Sequence, residues 1–177
     1  MSKIITFGAS NSTTSINKVF ATYVASQFQN ADVEVLDLND YEMPIYSPQR
    51  QSNGFPEPAQ RFYQKIGEAD LLVISFAEHN GNFTAAYKNI LDWVSRIDMK
   101  LFQNKPVIIL STSPGPKGAS SVLNIASVSL PYQGAVVRGQ FSLPSFYQNY
   151  DEKKGILNTD LKNELSNIIA DVSSSLN

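Results

Sequence analysis

Lys3 to Ser26 reads KIITFGASNSTTSINKVFATYVAS, and the reading of this stretch decides the fold. Lys3 through Phe7 carries the β-branched and aromatic run of a buried strand. Ile16, Val19, Phe20 and Tyr23 recur three and four residues apart, the spacing of an amphipathic helix. Between them lies GASNSTTS, in which Gly8 gives way to Ser10, Asn11, Ser12, Thr13, Thr14 and Ser15. A strand that stops at Gly8 and re-enters a helix through hydroxyls leaves helical N–H groups pointing outward, beside the positive end of the helix dipole. Such an end binds a phosphate. The loop has no Lys or Arg, so recognition would rest on backbone N–H groups, hydroxyls and the amides of Asn11 and Asn17. Lys18 is the first cation. The competing reading is that these residues only cap the helix and make turns.

Spacing narrows the kind of phosphate. The loop is not G-x-x-x-x-G-K-[ST], the nucleoside-triphosphate loop with its phosphate-binding lysine. Nor is it G-x-G-x-x-G, which lets a backbone approach a pyrophosphate. A hydroxyl-rich, glycine-poor loop suits one terminal monophosphate, closely wrapped.

The 177 residues are 42% hydrophobic, enough for one well-filled core and short for two domains, so residues 1–177 are read as a single domain. A net charge of -2 and a pI of about 5.4 offer no electrostatic case for nucleic acid or an anionic membrane. No run approaches the ~20 apolar residues of a membrane span, and the N-terminus enters a strand without a signal-peptide core, so a cytoplasmic location is expected. With no cysteine, thiolate nucleophiles and thiolate metal sites are excluded together, and any redox work falls to a bound cofactor.

Farther along, Val33–Leu38 alternates as a strand near a sheet edge, and Tyr41–Pro58, with four prolines, reads as a long loop. Glu57–Ala69 is a helix with Phe62 and Ile66 on one face. Leu71–Phe76 is a continuously apolar strand, Thr84–Ile97 the clearest helix, and Pro106–Thr112 another central strand. Ser120–Leu130 is a helix, Val136–Leu143 the fifth strand, and Thr159–Leu176 a closing helix capped at Thr159. Strands alternating with helices call for a three-layer α/β fold, a doubly wound sheet of five parallel strands in the order 2-1-3-4-5. Ligands bind such sheets at the carboxyl ends of the strands, where the winding reverses. There the first, third and fourth strands are neighbours, and GASNSTTS, AEHNGNF and SPGPKG follow them.

Within Ala77–Phe83, Asn80-Gly81 permits positive φ, so backbone N–H and C=O groups can face a flat ligand. His79 is the only histidine, so it has no second His or Cys with which to hold a metal. It has no G-x-S-x-G nucleophile elbow to serve either, and its plain reading is a solvated loop residue. Glu78 is expected to face water. In Ser113–Gly118, Gly115 and Gly118 would let backbone lie against a ring edge; an ordinary turn is the alternative.

AEHNGNFTAAYKNILDWVSR is similar to the PEYNxSxPGxLKNAIDWxSR segment of the NADPH-dependent FMN reductase family, the flavodoxin-like quinone, azo-dye and chromate reductases. Tyr87 to Trp93, with Ser95-Arg96, is the most specific part. Gly8, Ser15 and Asn17 resemble the family's GSxRxxSxN with one extra residue. The likeness runs in order through nearly the whole chain. It departs at Asn11, which stands about where the family has Arg, at His79 in place of Tyr, and at Thr84-Ala85 in place of Pro-Gly.

The resemblance implies a flavodoxin-like domain that binds FMN and uses NAD(P)H as co-substrate. Reduced flavin would pass electrons to a small-molecule acceptor: a quinone, azo compound, free flavin or metal oxyanion. The cofactor would do the transfer, with no catalytic side chain and no metal. Ser10, Asn11, Ser12, Ser15, Ile16 and Asn17 would hold phosphate and ribityl. Glu78, His79, Asn80, Gly81, Asn82 and Phe83 would line the ring, with Ser113, Pro114, Gly115 and Gly118 along its far edge. The 84–97 helix carries two apolar stripes, one through Tyr87, Leu91 and Val94 and one through Ala86, Ile90, Trp93 and Ile97. That width, with the family resemblance, implies a homodimer or homotetramer packed through this helix, the 41–55 loop leaning over the neighbour's flavin. The rivals are a flavodoxin-like electron carrier with no substrate of its own and a non-flavin α/β hydrolase or binding module. Carriers steer with strong acidic surfaces, which a net charge of -2 does not supply.

Overall fold

The computed structural model describes residues 1–176. Strands β1 (Ser2–Ala9), β2 (Ala31–Val35), β3 (Leu71–Phe76), β4 (Pro106–Thr112) and β5 (Val136–Leu143) form one sheet in the order β2-β1-β3-β4-β5. Every pairing is parallel. Helices α1 (Ile16–Ser26), α2 (Glu57–Glu68), α3 (Ala85–Ile97), α4 (Ser120–Tyr132) and α5 (Thr159–Ser175) cover both faces. This is the flavodoxin-like order that the alternation of elements predicts.

Alternation along the strands sorts the core into two layers. Ile5, Phe7, Leu72, Ile74 and Ile109 face α2, α3 and α4, where Phe62, Tyr87, Trp93 and Val122 meet them. Ile4, Val73, Ile108 and Leu110 face α1 and α5, against Phe20, Val24, Leu165 and Val172. Burial on both faces is why the central strands read as unbroken apolar runs.

Several boundaries differ from the sequence reading. β1 does not stop at Gly8 but continues to Ala9, with Gly8 opposite Ser75 and Ala9 opposite Phe76. What demands glycine is α1: a Cβ at Gly8 would lie 2.4 Å from the Lys18 amide nitrogen. β2 ends at Val35 rather than Leu38, because Asp37 accepts from the Asn39 amide at 2.9 Å and starts a 3-10 turn over Leu38–Tyr41. The closing helix is capped by Asn158, whose side chain accepts from the Asp160 and Leu161 amides, and not by Thr159. α4 runs two residues past Leu130 and carries Pro131 in its last turn.

The 41–58 segment is anchored to its own chain. The Asn89 side chain donates to the Met43 carbonyl at 3.0 Å and accepts from the Tyr46 amide at 2.9 Å. Trp93 Nε1 donates to the Pro44 carbonyl at 2.7 Å, and the Tyr46 ring stands edge-on to Trp93 at 5.2 Å. Tyr87, Ile90, Leu91, Trp93 and Val94 are all buried within one chain. The first stripe of α3 and the middle of the second are thus covered intramolecularly, with Ala86 and Ile97 half-buried at the ends, and the width is no independent argument for subunit pairing. Lys88 pairs with Asp92 at 2.7 Å, and Arg96 donates to the Ser95 hydroxyl.

Candidate functional site

Strand register brings Ala9, Phe76 and Thr112 to one rim, and the three unusual loops leave from it. In the first loop the Ser15 hydroxyl caps α1 by accepting from the Lys18 amide at 3.2 Å. Ser10 is buried and accepts from the Ser12 amide at 3.1 Å, which fixes the turn. The backbone amides of Thr13, Ile16 and Asn17 have no hydrogen-bond partner among the described residues. Three free donors at the positive end of an eleven-residue helix fit a phosphate. The hydroxyls of Ser12, Thr13 and Thr14 stand exposed beside them.

The Asn17 side chain does not face this cradle. Its oxygen accepts from the Ser75 hydroxyl at 2.7 Å and the Thr112 amide at 3.1 Å, while its nitrogen donates to the Thr112 carbonyl at 3.1 Å. It is a buried strut locking α1 to the ends of β3 and β4, so only its backbone N–H is offered to a ligand. Lys18 is likewise committed, 2.5 Å from Asp37, and this ion pair together with the Asn39 amide holds the Asp37 carboxyl below the usual carboxylate range.

The second loop is a tight β-hairpin pairing Glu78–His79 with Asn82–Phe83. Asn80 and Gly81 take φ of 53° and 74°, the paired left-handed conformation of a two-residue turn. Glu78, expected to face water, instead accepts from the Val122 amide at 3.0 Å. α4 opens on left-handed Ala119, which offers no capping side chain, so the hairpin supplies one. Phe83 turns inward against Phe76 and Tyr87, 5.4 and 5.2 Å between ring centres, and packs against the core. Thr84 caps α3 and donates to the Ala9 carbonyl at 2.9 Å, tying the hairpin to the end of β1. Beneath it the Tyr87 hydroxyl is buried without a hydrogen-bond partner among the described residues, and burial raises its pKa well above the tyrosine norm.

The third loop is stitched to the turn after β5. The Gly115 carbonyl accepts from the Ser145 amide at 2.9 Å, and the Gly118 carbonyl accepts from Ser111 and Ser142. Gly118, at φ 56°, has no room for a side chain, since a Cβ would lie 2.4 Å from the Ser142 hydroxyl. Its glycine answers to packing against β5 rather than to a ring edge.

One cleft of about 270 Å3 is bordered by all three loops: Ser10, Ser12, Ser15, Ile16 and Asn17; Glu78 and His79; Ser113 and Pro114. Asn11 lines a neighbouring cleft of about 250 Å3 that shares His79 and reaches Thr84 and Asn89. Asn80, Gly81, Asn82, Phe83, Gly115 and Gly118 border neither; they shape the loops that do. Missing from the sequence reading are Thr14, Ala77, Thr112 and Tyr147. Tyr147 had a signal of a kind, since PSFY follows the fifth strand at the same carboxyl rim.

Residues 2–148 match the NADPH-dependent FMN reductase family. The chain is 33% identical over 88 residues to an NAD(P)H-dependent FMN reductase of Pseudomonas aeruginosa, covering 50% of this chain and 46% of that protein. It is 32% identical over 123 residues to a 2-hydroxy-1,4-benzoquinone reductase of a Burkholderia species, covering 69% and 65%. These matches span about half and about two thirds of those relatives. Among solved structures, the flavoenzyme NAD(P)H:(acceptor) oxidoreductase of Paracoccus denitrificans superposes with a TM-score of 0.79 at 18% identity, covering 99% of this chain and 97% of that one. The sheet order, the convergent loops and the extent of the match lead to one conclusion: the chain belongs to the NADPH-dependent FMN reductase family.

Proposed function

We propose that the chain is an FMN-dependent NAD(P)H oxidoreductase acting on a small-molecule acceptor such as a quinone, azo compound, free flavin or metal oxyanion. The observation that carries this reading is the cleft where three loops meet beside the unpartnered amides of Thr13 in the first loop and of Ile16 and Asn17 in the first turn of α1. FMN, when bound, supplies the hydride and electron chemistry. The chain supplies position. Backbone N–H groups of Thr13, Ile16 and Asn17 take the phosphate, and the exposed hydroxyls of Ser12 and Thr14 satisfy its remaining oxygens. The hairpin holds His79 as one wall, while Ser113 and Pro114 form the opposite one. Asn11 reaches the adjoining cleft, where an acceptor would meet the exposed side of the cofactor.

The whole chain, 1–177, is read as one flavodoxin-like FMN-binding domain that works in the cytoplasm as a homodimer or homotetramer. No helix among the described residues is long and apolar enough to cross a membrane. Exposed Met99, Val128 and Tyr132, near the end of α3 and on α4, are the apolar surface available for pairing. Purified protein should take up FMN stoichiometrically and oxidise NADH or NADPH with a quinone as acceptor. Flavin uptake without steady-state oxidation of either nucleotide would identify an electron carrier instead.

A further inference from the structure

A second, larger groove of about 880 Å3 opens on the outer side of α1. Val19, Thr22 and Tyr23 form one bank, and Tyr147, Tyr150 and Glu152 the other. It is continuous with the phosphate cradle, because Thr14, Ser15, Ile16 and Tyr147 border both. Its floor is aromatic: Phe146 and Tyr150 stack at 4.8 Å, and Tyr23 meets Tyr150 edge-on at 5.4 Å. Tyr147 is nonetheless 67% exposed and Val19 40% exposed, so apolar faces remain open to a flat heteroaromatic ring. The other exit from the cofactor cleft, past His79, holds only about 250 Å3.

Charge in the groove has one free sign. Lys18 is the only cation among its lining residues, and it is paired with Asp37. Glu152 is exposed and joins no ion pair among the described residues. Lys153 and Lys154 lie on the turn beyond it and do not line the groove. A free carboxylate accepts hydrogen bonds from ribose hydroxyls and repels a 2′-phosphate.

We propose that this groove holds the adenosine end of the nicotinamide donor, with Glu152 on its ribose, so that NADH is preferred to NADPH. The proposal rests on the flavin-reductase reading above. A dinucleotide whose nicotinamide reaches the cofactor cleft must carry its other end away from that cleft, and the groove is the roomier, aromatic way out.

The test uses ADP-ribose, which carries the adenosine end without the nicotinamide. Calorimetry on FMN-loaded and on FMN-free protein should show one site for it, and kinetics should show competition with NADH. Glu152→Lys should move the NADH/NADPH ratio of kcat/KM at least tenfold toward NADPH while the FMN dissociation constant stays unchanged. Val19→Glu, with its fold checked by circular dichroism and by an unchanged FMN dissociation constant, should raise the KM for NADH and weaken ADP-ribose binding at least fivefold. Absence of ADP-ribose binding, or two variants that leave both nucleotides unaffected, would overturn the proposal. So would FAD binding more tightly than FMN and losing that advantage in Val19→Glu, since the groove would then serve the cofactor's own adenylate. ADP-ribose binding to a protein that refuses FMN would keep the groove and remove the flavin reading instead.

Discussion

Asn17 shows how one side chain can decide a site without touching its ligand. It satisfies Ser75, the Thr112 N–H and the Thr112 carbonyl at the buried centre of the rim. Asn17→Ala leaves those groups without partners, and at about 1–3 kcal/mol for each buried unsatisfied group it should lower the denaturant-unfolding free energy by about 3 kcal/mol. FMN affinity should fall with it, because α1 loses its register against β3 and β4. Tyr87 presents the opposite case. Its hydroxyl is buried and has no partner, so Tyr87→Phe should stabilise the protein by about 1 kcal/mol in the same measurement. A loss of stability on that change would show that the hydroxyl has an ordered partner.

Among the elements, the hairpin and α4 are coupled through Glu78 and the Val122 amide. Glu78→Ala removes a helix cap worth about 1 kcal/mol and frees the strand that carries His79, so the FMN dissociation constant should rise several-fold. Glu78→Gln keeps an acceptor and should restore most of the affinity. This bond was not legible in sequence, because it joins residues 44 positions apart and nothing about an isolated Glu marks it as another helix's cap. The elements themselves were legible wherever burial is two-sided. Leu71–Phe76 and Pro106–Thr112 match their expected bounds. β2, with one mixed face, lost its last three residues to the Asp37 turn. The three loops were legible as Gly, Asn and hydroxyl clusters, but which residues line the cleft depends on side-chain direction. Phe83 turned to packing for that reason, and Gly118 is glycine because β5 leaves no room for a Cβ there.

Across the whole molecule, a ligand that binds only the folded state raises its stability. FMN at a hundred times its dissociation constant should add about 2.7 kcal/mol and raise Tm by about 5–10 °C in a thermal melt. Acid should act first at one edge of the fold, where Lys3 and Lys65 bridge Glu34 and Glu68 across β1, β2 and α2. Lys65 holds the Glu34 carboxyl, and Lys3 that of Glu68, below the usual glutamate value. Because their folded pKa lies below the unfolded one, the stability they contribute is present at neutral pH and lost as pH falls below about 4.5 toward the folded pKa. The same melts repeated from pH 6 down to pH 3 should show Tm falling through that window, and less steeply in Lys65→Met. One consequence lies in the way α3 fastens the 41–58 segment. Asn89 and Trp93 grip the carbonyls of Met43 and Pro44, groups that every amino acid possesses. The grip itself is therefore indifferent to which side chains Met43 and Pro44 carry, and what remains specific in the excursion is the set of rings and the thioether, Tyr41, Met43 and Tyr46, that fill the core beneath it.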